Sequence, residues 1–145
     1  MSVLKAVRRS GEIHRFLKYC AVGVLNTAVC LGVIFICKSI IGLNPYLSNV
    51  LGYGAGLLNS FLWNRKWVFR SDGQPVREAA RFILGFALCY ALQFIIVWTI
   101  TNSSFGEKEF ELWVFTLSGY GIATLAGNVA YTIANFFYNR HITFR

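Results

Sequence analysis

Uncharged stretches of the chain are long enough to cross a bilayer four times. They occupy residues 19–37, 39–64, 82–106 and 112–139, with lengths of 19, 26, 25 and 28 residues. A helix that spans the hydrocarbon core needs about 20 mostly apolar residues. The pattern therefore predicts an all-α membrane protein with four transmembrane helices, in a single domain over residues 1–145.

Composition separates this prediction from its alternatives. Hydrophobic residues make up 56% of the chain and charged residues 14%, whereas about a quarter of a typical soluble domain is charged. The mean hydropathy of +0.52 excludes a disordered chain. Buried helices of a soluble protein would need a large polar shell. Because Arg15 and Lys18 precede a full-length span, we expect that span to be retained rather than cleaved as a signal peptide.

The basic residues predict the orientation of the chain. Twelve of the 14 lie before the first span, between the second and third, or after the fourth, and only Lys38 and Lys108 lie in the other two loops. The positive-inside rule then places both termini in the cytoplasm. With Glu12, Asp72 and Glu78 on the same side, the inner face carries a net charge of +9. Binding of anionic lipids accounts for most of this charge.

Residues 3–17 also have the pattern of an amphipathic helix on the inner leaflet. Val3, Leu4, Val7 and Leu17 fall near one face, although Ser10 and Gly11 weaken the pattern. This segment would add to the attraction between the inner face and anionic headgroups.

The sequence contains an internal repeat. Residues 64–70 (NRKWVFR) align with residues 139–145 (NRHITFR) at an offset of 75, and Arg15-Phe16 aligns with Arg81-Phe82 at an offset of 66. The repeats are expected to cover about residues 14–70 and 81–145. Since each unit has two spans, the two copies would be parallel and related by an axis along the membrane normal.

Each repeat ends in an Asn-Arg pair flanked by aromatic residues and followed by a Phe-Arg pair. Arginine can donate two hydrogen bonds to phosphate, an amide can bond sugar hydroxyls, and aromatic rings can stack on sugars. A phosphorylated lipid with a sugar headgroup would use all three. A stop-transfer signal with an aromatic belt explains either pair alone.

Uncharged polar side chains lie deeper in the spans. They are Asn26, Thr27, Asn59, Gln93, Asn128 and Asn135. Such groups face a cavity or hydrogen-bond between helices, and both alternatives remain open here. The spans contain no ionisable Asp, Glu, Lys, Arg or His, which argues against a proton-coupled or ion-coupled pump and against the small multidrug transporters with a membrane carboxylate.

Sequence motifs of enzymes and cofactor sites are absent. The four cysteines have no C-x-x-C spacing, and the chain has no phosphate-binding loop, nucleophile elbow or H-E-x-x-H site. We therefore expect no metal, no cofactor and no catalytic activity. The basic residues lie at membrane boundaries, which argues against nucleic-acid binding. Asn102-Ser103-Ser104 is a weak match to a glycosylation acceptor.

The chain resembles the GtrA-like family over residues 14–145. The matching motifs are Arg15-Phe16, Val22-Gly23, Asn26-Thr27, Asn59, Asn64-Arg65, Trp67, Phe69, Arg81-Phe82, Asn135-Phe136, Asn139-Arg140 and Thr143-Phe144. The resemblance implies a bacterial inner-membrane protein that moves a polyprenyl-phosphate-linked sugar to the outer leaflet for synthesis of cell-surface polysaccharide. It also implies a membrane glycosyltransferase as partner. The second half lacks a counterpart of Asn26-Thr27, which favours one site per protomer.

The resulting hypothesis is a lipid-linked sugar flippase in which basic residues attract the phosphate and amides line a path for the sugar. The predicted substrate-binding residues are Arg15, Lys18, Asn26, Thr27, Asn59, Asn64, Arg65, Arg81, Asn128, Asn135, Asn139 and Arg140. Because four helices enclose little volume, a homo-oligomer is a further expectation. The alternatives are an adaptor that recruits a glycosyltransferase without transport and, less favoured, an enzyme acting on lipid phosphates.

Overall fold

The structure, a computed structural model, describes the backbone of residues 2–103, 109–112 and 115–145 and the side chains of residues 10–103 and 118–145. Within these ranges the chain forms α1 (Ser2–Phe35), α2 (Pro45–Trp63), α3 (Pro75–Thr101) and α4 (Gly119–Tyr138). The helical fold with four long helices is thus confirmed. The side chains of Val3, Leu4 and Val7, and the loop residues Ser104, Glu107 and Lys108, lie outside the described residues.

A short β-hairpin connects α3 to α4. Strands β1 (Glu109–Leu112) and β2 (Phe115–Ser118) pair antiparallel, with Glu109 opposite Ser118 and Leu112 opposite Phe115. Glu109 to Leu112 alternates charged and apolar residues, which is the period of a strand. The uncharged stretch 112–139 includes the second strand of this hairpin. The predicted span over 112–139 therefore begins too early. The helix itself begins at Gly119.

Local sequence signals explain where the helices begin. Both prolines of the chain lie in the first turn of a helix, where the missing N–H needs no partner. The Asn44 side chain caps α2 by accepting a hydrogen bond from the Tyr46 N–H at 2.8 Å. Ser118 caps α4 in the same way, with its hydroxyl 3.1 Å from the Gly121 nitrogen.

Three helices continue into a turn of π-helix. These segments are π1 (Ile36–Ile40) after α1, π2 (Asn64–Val68) after α2 and π3 (Asn139–Thr143) after α4. Both π2 and π3 begin at the asparagine of an Asn-Arg pair. π-Helical turns are rare and occur frequently at functional sites.

Two of the four helices are apolar enough to span a bilayer by length and composition. They are Ser10–Ile40 and Pro75–Thr101, with mean hydropathy of 2.3 and 2.1 in their most apolar windows. Only 11% of each window is buried inside the protein, unlike the core helix of a soluble protein. Helices α2 and α4 are uncharged, but Asn, Ser, Thr, Tyr and Gly lower their hydropathy. The other two predicted spans therefore remain predictions.

The chain divides into two compact units. Unit 1 comprises residues 1–72 with Phe144, and unit 2 comprises residues 73–143 with Arg145. Each unit contains two long helices, and in each the second helix ends in a π-helical segment that starts at asparagine. A duplicated two-helix unit would have these features. The parallel repeat and the cytoplasmic position of the termini stay predictions.

Glycines allow the two helices of each unit to approach closely. In unit 1, a Cβ atom at Gly52 would lie 2.9 Å from the Cys30 carbonyl oxygen, and one at Gly56 would lie 3.3 Å from the Cys30 Cβ. In unit 2, a Cβ atom at Gly127 would lie 2.8 Å from Cγ2 of Val97. Close backbone approach at small residues is the usual packing of membrane helices.

The glycine contacts also give a register for comparing the units. Gly52 packs on Cys30 and Ile34, and Gly127 packs on Gln93 and Val97. Gly52 and Gly127, in the second helices of the two units, are 75 residues apart, which is the offset of the sequence repeat. Their contacts in the first helices, Cys30 with Gln93 and Ile34 with Val97, are 63 residues apart. The sequence alignment of Arg15-Phe16 with Arg81-Phe82 has an offset of 66 residues. This differs from the offset of 63 by three residues, about one helical turn.

The first helix is longer than its predicted span. Helix α1 runs without interruption from Ser2 through Ser10 and Gly11. The segment that the sequence suggested as a separate amphipathic helix is therefore continuous with the first span.

The contact at Gly52 predicts a stability difference between two glycines of α2. Gly52→Ala should lower the free energy of unfolding by about 1–3 kcal/mol, because the added methyl group meets a backbone oxygen that cannot move aside. Gly54→Ala is the matched control, since no atom lies within 4 Å of its Cβ position. Thermal unfolding in detergent measures both variants, and equal melting temperatures would contradict the packing.

Candidate functional site

A cationic cavity of about 700 Å³ lies in unit 1. Its lining residues are Ser10, Gly11, His14, Arg15, Lys18, Val68, Phe69 and Arg70. Those from α1 recur at four-residue intervals and so share one face of the helix. The others follow the end of α2, so the cavity lies between the start of one helix and the end of the next. Its lining includes three basic residues, Arg15, Lys18 and Arg70, and one histidine, a composition that favours an anion over a cation.

One of the cavity's cations lies over an aromatic ring of π2. The Lys18 Nζ lies 5.3 Å from the centre of the Trp67 ring, within range of a cation–π interaction. The ring of Phe69, which lines the cavity, packs on Tyr19 with ring centres 6.4 Å apart. The ammonium group of Lys18 therefore contacts π2 through Trp67. A phosphate that enters the cavity meets a charge already in place.

Arg15 is only loosely paired within the protein. Its Nη1 lies 3.7 Å from Oε1 of Glu12, and the two side chains are 52% and 28% exposed. An exposed pair at this distance contributes about 0–1 kcal/mol. A negatively charged phosphate group can therefore compete for the guanidinium.

Arg70, which lines the cavity, lies at a sharp turn of the backbone. Arg70 has a positive φ of 51°, a conformation that disfavours residues with a Cβ by about 1–2 kcal/mol. The Ser71 N–H donates to the Arg65 carbonyl oxygen at 2.9 Å and closes the turn. Strained residues of this kind cluster at ligand sites. Arg70 is not among the substrate-binding residues predicted from the sequence, although it belongs to the Phe-Arg pair that follows Asn64-Arg65.

Asn26 and Asn59 form a second polar feature of unit 1. The Asn26 Oδ1 would lie 3.5 Å from a Cβ at Gly56, so its amide occupies space that the glycine leaves on α2. Asn59 follows Gly56 by three residues, on the same side of that helix. Asn26 Oδ1 and Asn59 Nδ2 are buried and have no hydrogen-bond partner among the described residues. Thr27 instead donates its hydroxyl to the Gly23 carbonyl oxygen at 3.1 Å.

The asparagines of the two Asn-Arg pairs lie inside their units. Asn64 and Asn139 are 1% and 0% exposed, respectively. The Asn64 amide donates to the Ser60 carbonyl oxygen at 2.8 Å, and the Asn139 amide donates to Asn135 Oδ1 at 3.2 Å. Each therefore bonds to the preceding turn of its own helix. The arginines that follow, Arg65 and Arg140, are half-buried.

Unit 2 contains the remaining predicted residues. Arg81 donates from Nη1 to the Ile142 carbonyl oxygen at 3.2 Å and so holds the C-terminal segment to α3. Gln93 donates to Asn128 Oδ1 at 2.7 Å, and Asn135 is buried with its amide 3.2 Å from the Tyr131 hydroxyl. Of the predicted site, the cationic cavity thus contains Arg15 and Lys18 only.

Sequence reasoning missed Ser10, His14 and Arg70. The four-residue spacing of Ser10, His14 and Lys18 was the available signal, because it puts them on the face that Arg15 borders. In the part of the chain that the structure describes, no three His, Cys, Asp or Glu residues come together as a metal site. The four cysteines are free thiols.

The match to a known family agrees with this architecture. The sequence profile of the family described as GtrA/DPMS, transmembrane domain, matches residues 18–144. The chain belongs to this family. The protein is therefore a membrane protein, and the resemblance inferred from its motifs is confirmed.

Curated relatives are similar over much of the chain. It is 30% identical over 95 residues to the uncharacterized membrane protein YngA of Bacillus subtilis, covering 63% of this chain and 62% of YngA. It is 24% identical over 138 residues to the cell wall teichoic acid glycosylation protein GtcA of Listeria innocua, and 22% over 139 residues to GtcA of Listeria monocytogenes. Both GtcA matches cover 92% of this chain and 87% of the relative.

The cavity predicts that individual arginines bind phosphate. Arg15→Gln and Arg70→Gln should each weaken binding of polyprenyl monophosphate by about tenfold, because each removes a charge-assisted hydrogen bond. Arg77→Gln removes the same charge from an exposed residue of α3 that does not line the cavity, and should have little effect. Titration of the detergent-solubilised protein measures the three affinities. Equal losses would show that only the net charge matters.

The unpartnered amide of Asn26 predicts an unusual stability result. Asn26→Leu keeps the shape of the side chain and removes a buried oxygen that has no partner, so the melting temperature should stay the same or rise. Gln93→Leu is the contrast, because it breaks a 2.7 Å hydrogen bond and should lower stability by about 0.5–1.5 kcal/mol. If Asn26→Leu destabilises the protein as much as Gln93→Leu, Asn26 has a structural role.

Proposed function

We propose that the protein moves a polyprenyl-phosphate-linked sugar from the cytoplasmic to the outer leaflet of the bacterial plasma membrane, for glycosylation of a cell-surface polysaccharide. In this proposal the chain is a multi-pass protein with both termini in the cytoplasm. Its family and its similarity to proteins named for teichoic acid glycosylation support this role. The proposed process breaks no covalent bond, so it requires no catalytic group.

The observation that carries the proposal is the order of groups along α1. Arg15 and Lys18 line the cationic cavity, and Asn26 lies eight residues beyond Lys18, about 12 Å further along the helix. Asn26 and Asn59 there have a buried acceptor and a buried donor without partners. A sugar hydroxyl both donates and accepts, and so complements this pair. The phosphate and the headgroup would each meet the chemistry they need.

The amide pair lowers the barrier to moving a sugar across the membrane. Each unsatisfied polar group in hydrocarbon costs several kcal/mol, and a hexose carries several hydroxyl groups. Groups in the protein that exchange hydrogen bonds with these hydroxyls offset part of the cost. The prenyl chain needs no such path, because the exposed apolar faces of α1 and α3 adjoin lipid in which the chain can remain.

A membrane glycosyltransferase would supply the loaded lipid. The proposed direction of transport requires a partner that attaches the sugar on the cytoplasmic side. Anionic lipids would bind the basic face, and a homo-oligomer would enclose more volume than one protomer. These partners are part of the proposal.

Reconstituted vesicles test transport. Vesicles that contain purified protein and a labelled polyprenyl-phosphate-hexose should expose the sugar to an external reagent faster than vesicles without protein. Asn26→Leu and Asn59→Leu should reduce this rate by about tenfold, the effect of one lost hydrogen bond to a buried group. Asn49→Leu is the matched control, since Asn49 is exposed on α2 and bonds only its own helix at Pro45.

A result without transport would favour the adaptor. If the wild-type protein does not accelerate exposure of the sugar but binds the glycosyltransferase, the flippase proposal is wrong. If the Asn26→Leu and Asn59→Leu variants transport the lipid at the same rate as Asn49→Leu, Asn26 and Asn59 do not contact the sugar during transport. Reading transport and glycosyltransferase binding on the same preparation separates these outcomes.

A further inference from the structure

Unit 2 contains a second, smaller cavity of about 150 Å³ that the proposed transport site does not use. Its lining residues are Tyr90, Gln93, Phe94, Val97, Tyr120 and Thr124. The four from α3 are spaced as one face of a helix, and the two from α4 are one turn apart at its start. The cavity therefore lies between the end of α3 and the beginning of α4.

The lining has the chemistry of a site for a neutral ring with hydroxyl groups. Three neutral aromatic side chains offer ring faces, whose partial negative charge attracts the C–H groups of a sugar. Gln93 and Thr124 add hydrogen-bonding groups, and none of the six lining residues is charged. Sites for drug-sized ligands occupy about 300–1,000 Å³. At about 150 Å³ this cavity is smaller than such a site and has room for about one ring.

Gln93 is held in place for such a contact. Its Nε2 donates to Asn128 Oδ1 at 2.7 Å, and its Cγ lies against the position where Gly127 has no side chain. The amide oxygen and the second N–H remain for a ligand. The Thr124 hydroxyl donates to the Tyr120 carbonyl oxygen at 2.9 Å and keeps its lone pairs as acceptors. The site thus presents both donors and acceptors.

The position of the cavity differs from that of the basic residues in the same unit. Arg81 lies twelve residues before Gln93, about 18 Å along α3, and Arg140 follows the far end of α4. The basic residues Arg81 and Arg140 of unit 2 are thus at one end of its helices and the cavity is toward the other. A headgroup in the cavity would be separated from these cations.

We propose that this cavity binds the sugar ring of the lipid-linked substrate, at the end of unit 2 next to the β-hairpin. The inference rests on the proposed transport function, to which it adds a sugar-binding subsite distinct from the cationic cavity. The ring stacks on Tyr120 and hydrogen-bonds to Gln93 and Thr124. Such a subsite would discriminate the loaded lipid from polyprenyl phosphate.

Binding measurements with matched variants test the subsite. The probes are polyprenyl monophosphate and the same lipid carrying glucose, galactose or N-acetylglucosamine, titrated into the full-length protein in nanodiscs. The wild-type protein should bind at least one sugar-bearing lipid more tightly than the unloaded one. Thr124→Val and Tyr120→Leu should each weaken that binding by about threefold to tenfold and leave binding of polyprenyl monophosphate unchanged.

Two control variants make the same chemical changes outside the cavity. Thr132→Val removes a hydroxyl that, like that of Thr124, bonds the carbonyl four residues earlier on α4, here Asn128 at 2.8 Å. Tyr46→Leu removes an exposed tyrosine from the second position of α2, as Tyr120 occupies the second position of α4. Both controls should bind all the lipids as the wild type does.

Several outcomes would overturn the inference without deciding transport. They are a wild-type protein with no preference for any sugar-bearing lipid, variants that weaken loaded and unloaded lipid equally, and controls that lose as much affinity as the cavity variants. An equal loss for both lipids would indicate a site for the prenyl chain. The vesicle assay on the same preparation reports separately on transport, so failure of the subsite and failure of the proposed function are distinguishable.

Discussion

The absence of water in the hydrocarbon core is the constraint on which this structure depends. Every polar group at that depth needs a partner in the protein or in a ligand. The backbone meets this requirement with helices, and Thr27, Thr99, Thr124 and Thr132 meet it by bonding the carbonyl one turn earlier. The Asn64 amide donates to the Ser60 carbonyl oxygen, and the Asn139 amide donates to the side-chain oxygen of Asn135. The buried side-chain oxygens of Asn64, Asn139, Thr101 and Thr143 have no partner among the described residues. Asn26 and Asn59 differ from these because they offer an unpartnered acceptor and an unpartnered donor within one unit.

The same constraint explains why the charges are concentrated at the ends of the helices. Cations cannot lie in the hydrocarbon without large cost, so a phosphate must be held at the boundary. In unit 1, the cations that could hold a phosphate lie in the cavity between the start of α1 and the end of π2. In the proposed function, the phosphate binds first at Arg15 and Lys18, and the neutral sugar passes the deeper amides as the lipid moves. Charge and hydrogen bonding are thus divided along one helix.

Much of the helical architecture could be predicted from the sequence, because apolar length, proline and capping residues act locally. Packing was less predictable. The Asn-Arg pairs suggested amides at the headgroup level, but both asparagines turn inward where π-helical turns begin. Arg70 lines the cavity from a backbone conformation with positive φ, which its sequence does not predict. The hairpin between α3 and α4 interrupts an uncharged stretch that length alone would assign to a helix.

The central claim is that the substrate's phosphate binds in the cationic cavity and that its sugar passes Asn26 and Asn59 during transport. Photocrosslinking of a polyprenyl-phosphate-hexose with a diazirine on the sugar, followed by mass spectrometry of the labelled peptides, tests it most directly. We expect labels on α1 around Asn26 and on α2 around Asn59, and loss of both in the presence of excess unlabelled lipid. Labels confined to residues outside unit 1, with none near either asparagine, would contradict the account.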